Sequence, residues 1–197
     1  METLLFVHGL ASSGAYKLAD TLRILLKPAR MLSPDFPIDP DEALSILRNI
    51  CREEQPELVA GLSWGGFLVQ QLRGQKKVLI NPDFQISRLL RTMQGEVKYL
   101  SPRQDGALSF LLTPTLCDRY ETLEMRQFEG VSPDEQARTL GFFATEDELV
   151  HCQGIFEQYY PGRSMAYPGR HLPTFPEAKR FIAPQILHFC QSQYPYE

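Results

Sequence analysis

The stretch that decides the fold is ELVAGLSWGGFLVQQLRG, residues 57–74. It begins with a short apolar run, which is typical of a strand buried on both faces. The residues after the central glycines have the pattern of a helix that ends at Gly74. Ser63 lies at the junction, with Gly61 and Gly65 on either side. The stretch therefore predicts a strand, a tight turn and a helix.

The spacing of these three residues is that of a nucleophile elbow, G-x-S-x-G. A strand-to-helix turn this tight strains the serine backbone, and side chains at positions 61 and 65 would collide with neighbouring elements. The Ser63 hydroxyl would project above the sheet, toward the first N–H groups of the helix. The alternative interpretation is a glycine-rich helix start at which Ser63 is only an N-cap.

Strand and helix patterns alternate along the rest of the chain, which predicts an α/β fold with about six mostly parallel strands flanked by helices. We expect a single domain over residues 1–197. Between the fourth and fifth strands, residues 83–138 have an irregular pattern and predict a cap insertion. Strands are predicted within 3–7, 29–34, 57–62, 76–80, 138–144 and 164–167. Helices are predicted within 14–28, 40–54, 63–73, 148–160 and 175–191, the last with a kink at Pro184.

A serine nucleophile needs a base, and the base needs an acid that orients it. His171 follows the last strand in a loop rich in turn residues, so we predict that it is the base. Asp147, in the acidic loop after the fifth strand, is the preferred acid; Glu146 and Asp83 remain alternatives. The acidic loop could instead cap the following helix. The order of Ser63, Asp147 and His171 in the chain is that of the α/β-hydrolases.

The loop after the first strand, VHGLASSG at residues 7–14, is predicted to complete an oxyanion hole. Gly9 would let the chain turn close to the site. The main-chain N–H groups of Leu10 and Trp64 would then both point at the oxyanion. We expect His8 to brace this loop rather than to transfer protons.

Five segments resemble the small bacterial YqiA/YcfP-type esterases, which are compact α/β-hydrolase-fold proteins without the usual two N-terminal strands. The segments are LLFVHGLASSG (4–14), GLSWGGF (61–67), VLINP (78–82), TEDELV (145–150) and GRH (169–171). The resemblance implies a serine hydrolase that cleaves a small carboxylic ester through Ser63, Asp147 and His171. Trp64 departs from the family, which typically has a small residue after the nucleophile.

Composition and charge narrow the range of functions. The net charge of −4 gives no support for a nucleic-acid partner, and no apolar run is long enough to span a membrane. The absence of a signal-peptide pattern and the four isolated cysteines predict a cytoplasmic protein. We expect no cofactor and no metal, and a small-molecule ester as substrate.

Two alternatives for the function stay open: a non-catalytic hydrolase-like binding module, and a thioesterase or amidase on the same triad. The oligomeric state is left open.

Overall fold

The computed structural model describes residues 1–191 and contains a six-stranded parallel sheet with helices on both faces, which confirms the predicted fold class. The strands in chain order are β1 Thr3–Val7, β2 Arg30–Leu32, β3 Leu58–Leu62, β4 Lys77–Ile80, β5 Gly95–Lys98, β6 Ser109–Leu112, β7 Thr139–Ala144 and β8 Ser164–Tyr167. The helices are α1 Lys17–Leu25, α2 Pro40–Glu54, α3 Trp64–Gln70, α4 Ile86–Thr92, α5 Pro114–Arg126, α6 Pro133–Ala137, α7 Gln153–Tyr159, α8 Phe175–Glu177 and α9 Ala183–Gln191.

The strand order of the main sheet is β2-β1-β3-β4-β7-β8, and neighbouring strands are parallel throughout. β1 lies between β2 and β3, so the chain first moves to one side of β1 and then to the other. Where a parallel sheet reverses in this way, the loops after the two strands diverge and leave a crevice at their carboxyl ends. His8 follows β1 and Ser63 follows β3, so both residues lie at this crevice.

Alternate residues of the central strands enter two apolar cores, one on each face of the sheet. In β1, Leu5 and Val7 pack with residues of α2, α3 and α5. Leu4 and Phe6 pack with residues of α1 and α9. Every residue of β3 is buried, as its continuous apolar run predicts. The elbow at the end of β3 is therefore anchored in a strand that is covered on both faces.

Several helices differ from their predicted form, and α3 ends at Gln70 rather than at Gly74. α7 begins at Gln153 rather than near residue 148, because the Asp147 side chain accepts the N–H groups of Leu149 and Val150 in a turn that no helix continues. The closing helix contains a wide π-helical segment, Ala178–Ile182, just before Pro184. Proline has no N–H and its ring crowds the carbonyl four residues earlier, and a π-helical segment there relieves that crowding.

The insertion between β4 and β7 is more regular than its sequence pattern indicates. It contains α4, α5, α6 and an antiparallel hairpin in which β5 pairs with β6. Glu96 and Lys98 alternate with Gly95 and Val97, so β5 lacks the run of β-branched and aromatic residues that makes a strand recognisable. Within residues 1–191, no helix combines the length and the apolar character that crossing a bilayer requires.

Candidate active site

Ser63 occupies a sharp turn between β3 and α3, with φ 55° and ψ −116°. A positive φ is unfavourable for a residue with a side chain, and such strain costs on the order of 1–3 kcal/mol. Three main-chain hydrogen bonds hold the turn: the Ser63 N–H donates to the carbonyl of Ile80 at 2.9 Å, and the Ser63 carbonyl accepts the N–H groups of Phe67 at 3.1 Å and of Asp83 at 3.3 Å. The Ser63 side chain makes no hydrogen bond that caps α3, which disfavours the N-cap interpretation.

The two glycines of the elbow are needed because other main-chain atoms occupy the space beside them. A Cβ atom at Gly61 would lie 2.4 Å from the carbonyl oxygen of Gly65. A Cβ atom at Gly65 would lie 2.3 Å from the carbonyl oxygen of Val7 and 2.4 Å from that of His8. Real Cβ atoms do not approach oxygen this closely. The glycines therefore let α3 start directly against the end of β1.

The structure brings the three residues predicted as a triad into one hydrogen-bonded chain. His171 Nε2 lies 2.9 Å from Ser63 Oγ, and His171 Nδ1 lies 2.8 Å from Asp147 Oδ2. Asp147 follows β7 and His171 follows β8, so the chain forms at the carboxyl edge of the sheet. All three side chains are buried. An imidazole between a hydroxyl and a carboxylate can accept the hydroxyl proton while the carboxylate stabilises its charge.

Of the three acids considered, Asp147 is the one in contact with His171. Burial alone would raise the pKa of Asp147, but hydrogen bonds from His171 and from two main-chain N–H groups hold this pKa below its ordinary value. The side chain of Glu146 is exposed to solvent. Asp83 is buried and accepts the N–H of Gln85, and its burial raises its pKa. No hydrogen bond joins Asp83 to His171 in the described part of the chain.

His8 lies at the start of the loop that follows β1 and is held at both ring nitrogens. Nδ1 lies 2.9 Å from the carbonyl oxygen of Gly9, and Nε2 accepts the N–H of Phe36 at 3.0 Å. Because Nε2 accepts, the proton is on Nδ1, which donates to Gly9. Burial lowers the pKa of His8 to about 4, so the ring is neutral at pH 7. These contacts suit the bracing role that the sequence predicts for His8.

One predicted oxyanion donor, Trp64, directly follows Ser63, and the other, Leu10, lies in the loop that passes beside it. A Cβ atom at Gly9 would lie 3.8 Å from Cβ of Ser63, which shows how near the loop passes to the nucleophile. This contact is an ordinary one, so a side chain at Gly9 would fill space beside Ser63 rather than clash. Within residues 1–191, neither the N–H of Leu10 nor that of Trp64 donates to a protein acceptor. Both groups are therefore available to a ligand.

A small cleft, with an empty volume of about 170 Å³, adjoins these two residues. It is mainly apolar and aromatic, with contributions from the β1 loop, the elbow and the hairpin. Its lining consists of His8, Leu10, Ala11, Phe36, Ile38, Trp64, Tyr99 and Phe110.

The Trp64 side chain is buried and forms part of the wall of this cleft. Its indole N–H donates to the Tyr120 hydroxyl at 2.8 Å, and that hydroxyl donates to the carbonyl of Ile38 at 2.7 Å. The Trp64 ring also lies 5.6 Å from the His8 ring, centroid to centroid. The large residue after the nucleophile thus links the elbow to α5 of the insertion.

Sequence reasoning missed Asn81, which it treated only as the end of a strand. Asn81 Nδ2 donates to the carbonyl of His171 and to the Tyr167 hydroxyl, both at 2.8 Å. Its Oδ1 accepts the N–H of Ala144, also at 2.8 Å. Asn81 is buried and has φ 44°, a conformation that asparagine tolerates better than most residues. The one sequence feature that could have indicated a role for Asn81 is that a polar residue directly follows a buried strand.

The described residues offer no evident place for a metal ion. Within residues 1–191, no three His, Cys, Asp or Glu side chains are grouped in a way that could hold one. All four cysteines are free thiols.

The sheet order, the strand-turn-helix elbow and the loops at the carboxyl edge together define an α/β-hydrolase fold. The family model described as "Uncharacterised protein family (UPF0227)" matches residues 3–190, and the chain belongs to this family. This is the YqiA/YcfP family, so the resemblance noted from the sequence is confirmed. No curated protein gives a significant match to the chain.

Solved structures share the fold at low sequence identity. The chain is similar to Est1E from Butyrivibrio proteoclasticus, with a TM-score of 0.71 and 16% identity over 97% of this chain and 89% of that one. It is also similar to Paleococcus ferrophilus monoacylglycerol lipase, with a TM-score of 0.66 and 17% identity over 95% of this chain and 93% of that one. A third similar structure is that of mouse alpha/beta hydrolase domain-containing protein 10. Its TM-score is 0.57, with 13% identity over 95% of this chain and 86% of that one. Identities this low show the fold alone.

Proposed function

We propose that the protein is a serine hydrolase that cleaves a small carboxylic ester through an acyl-enzyme intermediate. The observation that carries this proposal is the chain of two hydrogen bonds, 2.9 and 2.8 Å long, from Ser63 through His171 to Asp147. The strained backbone at Ser63 supports it, because strain that the surrounding structure maintains clusters at functional sites. The esterase and lipase named among the structures of the same fold are consistent with it.

The reaction follows from the geometry. Ser63 Oγ attacks the ester carbonyl while His171 Nε2 accepts its proton, and Asp147 stabilises the resulting imidazolium. The oxyanion of the tetrahedral intermediate accepts hydrogen bonds from the N–H groups of Leu10 and Trp64. The C–O bond to the alcohol breaks, and the alcohol leaves with the proton from His171. Water then attacks the acyl-enzyme with His171 again as base, which releases the acid and restores Ser63.

The apolar lining of the cleft supports a substrate whose group beside the scissile carbonyl is uncharged. Apolar and aromatic side chains dominate its lining, and its one titratable imidazole, His8, is neutral at pH 7. A charged substituent there would be desolvated without a partner, which is unfavourable. Oxygen esters meet this requirement, and a thioester or an amide of the same acyl group would occupy the same space.

The experiment compares wild type, Ser63→Ala and the control Ser45→Ala, whose serine is exposed on α2. We expect Ser63→Ala to lose p-nitrophenyl acetate hydrolysis by more than about a thousandfold and to lose labelling by a fluorophosphonate probe. Its circular dichroism spectrum should match that of wild type, and Ser45→Ala should keep full activity. A folded wild-type protein that the probe does not label would instead support a non-catalytic binding module. Esters, thioesters and amides of one acyl group, assayed in parallel, identify the preferred bond.

A further inference from the structure

Ala11, which follows the predicted oxyanion donor Leu10, has an unusual backbone conformation. Its φ is 54°, in the left-handed region that residues with a side chain rarely adopt. Such a conformation persists when other contacts hold it in place. The contacts that hold Ala11 therefore help to fix the loop that carries the N–H of Leu10.

One of these contacts comes from the insertion. The N–H of Leu100 donates to the carbonyl of Ala11 at 2.7 Å. Next to it, the Ser101 hydroxyl lies 2.9 Å from that of Ser13 and 3.3 Å from that of Ser12. Leu100 and Ser101 follow β5, so the oxyanion loop is bonded directly to the hairpin.

A carboxylate strengthens the same junction. Asp35 Oδ1 accepts the N–H of Gly14 at 2.7 Å, and Asp35 Oδ2 accepts the N–H of Gln104 at 2.6 Å. Arg103 Nη1 donates to the carbonyl of Phe36 at 3.2 Å. Three segments are thus tied together: the oxyanion loop at 9–14, the loop at 33–36 and the hairpin segment at 99–104.

The hairpin also lines the cleft. Tyr99 and Phe110 pack against each other and line the cleft together with Leu10 and Trp64. The hairpin that lines the cleft is thus also the one that contacts the oxyanion loop. A displacement of the hairpin would open the cleft and at the same time remove the hydrogen bond to Ala11.

We infer that the main-chain N–H of Leu100 positions the oxyanion loop, so that the catalytic site is complete only while the hairpin is docked. The inference rests on the proposed function, because it concerns the same oxyanion hole. Leu100 is a positioning residue: it acts through Ala11 on the N–H of Leu10 and does not touch the reacting atoms.

The test is Leu100→Pro, with Leu100→Ala as its matched control. Proline removes the N–H, whereas alanine keeps it. The Leu100 side chain is 81% exposed, so both variants lose little packing. Removal of an oxyanion donor lowers kcat by about 10²–10³-fold, and a displaced donor should cost part of that. We expect Leu100→Pro to lower kcat for p-nitrophenyl acetate at least about tenfold with KM within about twofold of wild type.

A second readout separates this role from a purely structural one. Phenylboronic acid forms a tetrahedral adduct with a serine nucleophile and mimics the oxyanion intermediate. Its inhibition constant should rise in Leu100→Pro in proportion to the fall in kcat/KM, because both depend on the same donors. Leu100→Ala should resemble wild type in both measurements. Asp35→Asn weakens the two hydrogen bonds that Asp35 accepts at the junction, so it should change kcat/KM and the inhibition constant in the same direction but by less. This variant replaces Leu100→Pro as the test if the proline variant does not fold.

The outcomes distinguish this inference from the proposed function. If wild type hydrolyses the ester through Ser63 while Leu100→Pro and Asp35→Asn match wild type in kcat and in boronate inhibition, the inference is wrong and the proposed function stands. If wild type shows no Ser63-dependent hydrolysis, both are wrong. A parallel loss of kcat and of boronate affinity in folded variants supports the inference.

Discussion

The side-chain amide of Asn81 donates a hydrogen bond of 2.8 Å to the main-chain carbonyl of His171. The same side chain accepts the N–H of Ala144, three residues before Asp147. Asn81 follows β4, which pairs with β7, and β7 pairs with β8. One buried amide therefore fixes the loops that carry the predicted base and acid relative to each other.

The role of Asn81 can be tested with Asn81→Gly, because glycine accepts the φ of 44° and removes only the side-chain hydrogen bonds. We expect kcat for p-nitrophenyl acetate to fall by about 10- to 100-fold, since displacement of a catalytic group by about 1 Å can cost that much. Asn49→Gly, at an exposed position of α2, controls for a general loss of stability. Unchanged kcat in a folded Asn81→Gly protein would contradict the positioning role.

The identity of the acid is tested by three isosteric variants, Asp147→Asn, Asp83→Asn and Glu146→Gln. We expect Asp147→Asn to lower kcat by about 10⁴-fold, because an amide in place of the carboxylate favours the wrong imidazole tautomer. Asp83→Asn and Glu146→Gln should remain within a few fold of wild type, since neither is hydrogen-bonded to His171. Should Asp83→Asn prove the more damaging substitution, Asp83 would be the acid and the prediction for Asp147 would be wrong.

Gly65→Ala should destabilise the fold because the added Cβ would lie 2.3 Å from the carbonyl oxygen of Val7. We expect the free energy of unfolding to fall by about 2–4 kcal/mol in urea denaturation. Gly154→Ala is the matched control, since Gly154 lies in α7 with no atom within 4 Å of the added Cβ. That change should stabilise by about 0.5–1 kcal/mol. Equal effects of the two substitutions would argue against the close approach of α3 to β1.

The buried His8 predicts a pH dependence of stability. Burial lowers its pKa from 6.5 to about 4, so between these pH values the unfolded chain binds a proton that the folded protein does not. The free energy of unfolding should therefore fall as the pH is lowered from 6.5 to 4, by about 3 kcal/mol from this group. Urea denaturation of wild type and His8→Asn across this range isolates the contribution. Parallel profiles for the two proteins would show that His8 is not responsible.

The strands of the main sheet and the elbow were predictable because their signals are local. Each strand is a short apolar run, and His171 and Asp147 each lie in the loop that follows one. Parallel strands place such residues at one edge of the sheet, whatever separates them in the chain. The glycine spacing at 61 and 65 adds a steric requirement that can be recognised from the sequence alone.

The contacts of Asn81, Ala11 and Leu100 could not be predicted in this way. They are hydrogen bonds to main-chain groups 60 to 90 residues away, and the periodicity of a segment carries information only about its own element. The hairpin after α4 was missed for a related reason, since its pairing depends on cross-strand contacts rather than on strong alternation. Asp147 illustrates a local ambiguity, because its contacts with Leu149 and Val150 resemble an N-cap where no helix starts.

Trp64, the single tryptophan of the chain, gives the protein an intrinsic fluorescent reporter at the nucleophile. Its indole is hydrogen-bonded to Tyr120 of the insertion and lies against the cleft, so its emission depends on the polarity and hydration of that one location. Binding of a substrate analogue and displacement of the hairpin should both change the emission wavelength. Stopped-flow fluorescence of the unlabelled protein can therefore time the opening of the cleft and compare it with the rate of acyl transfer.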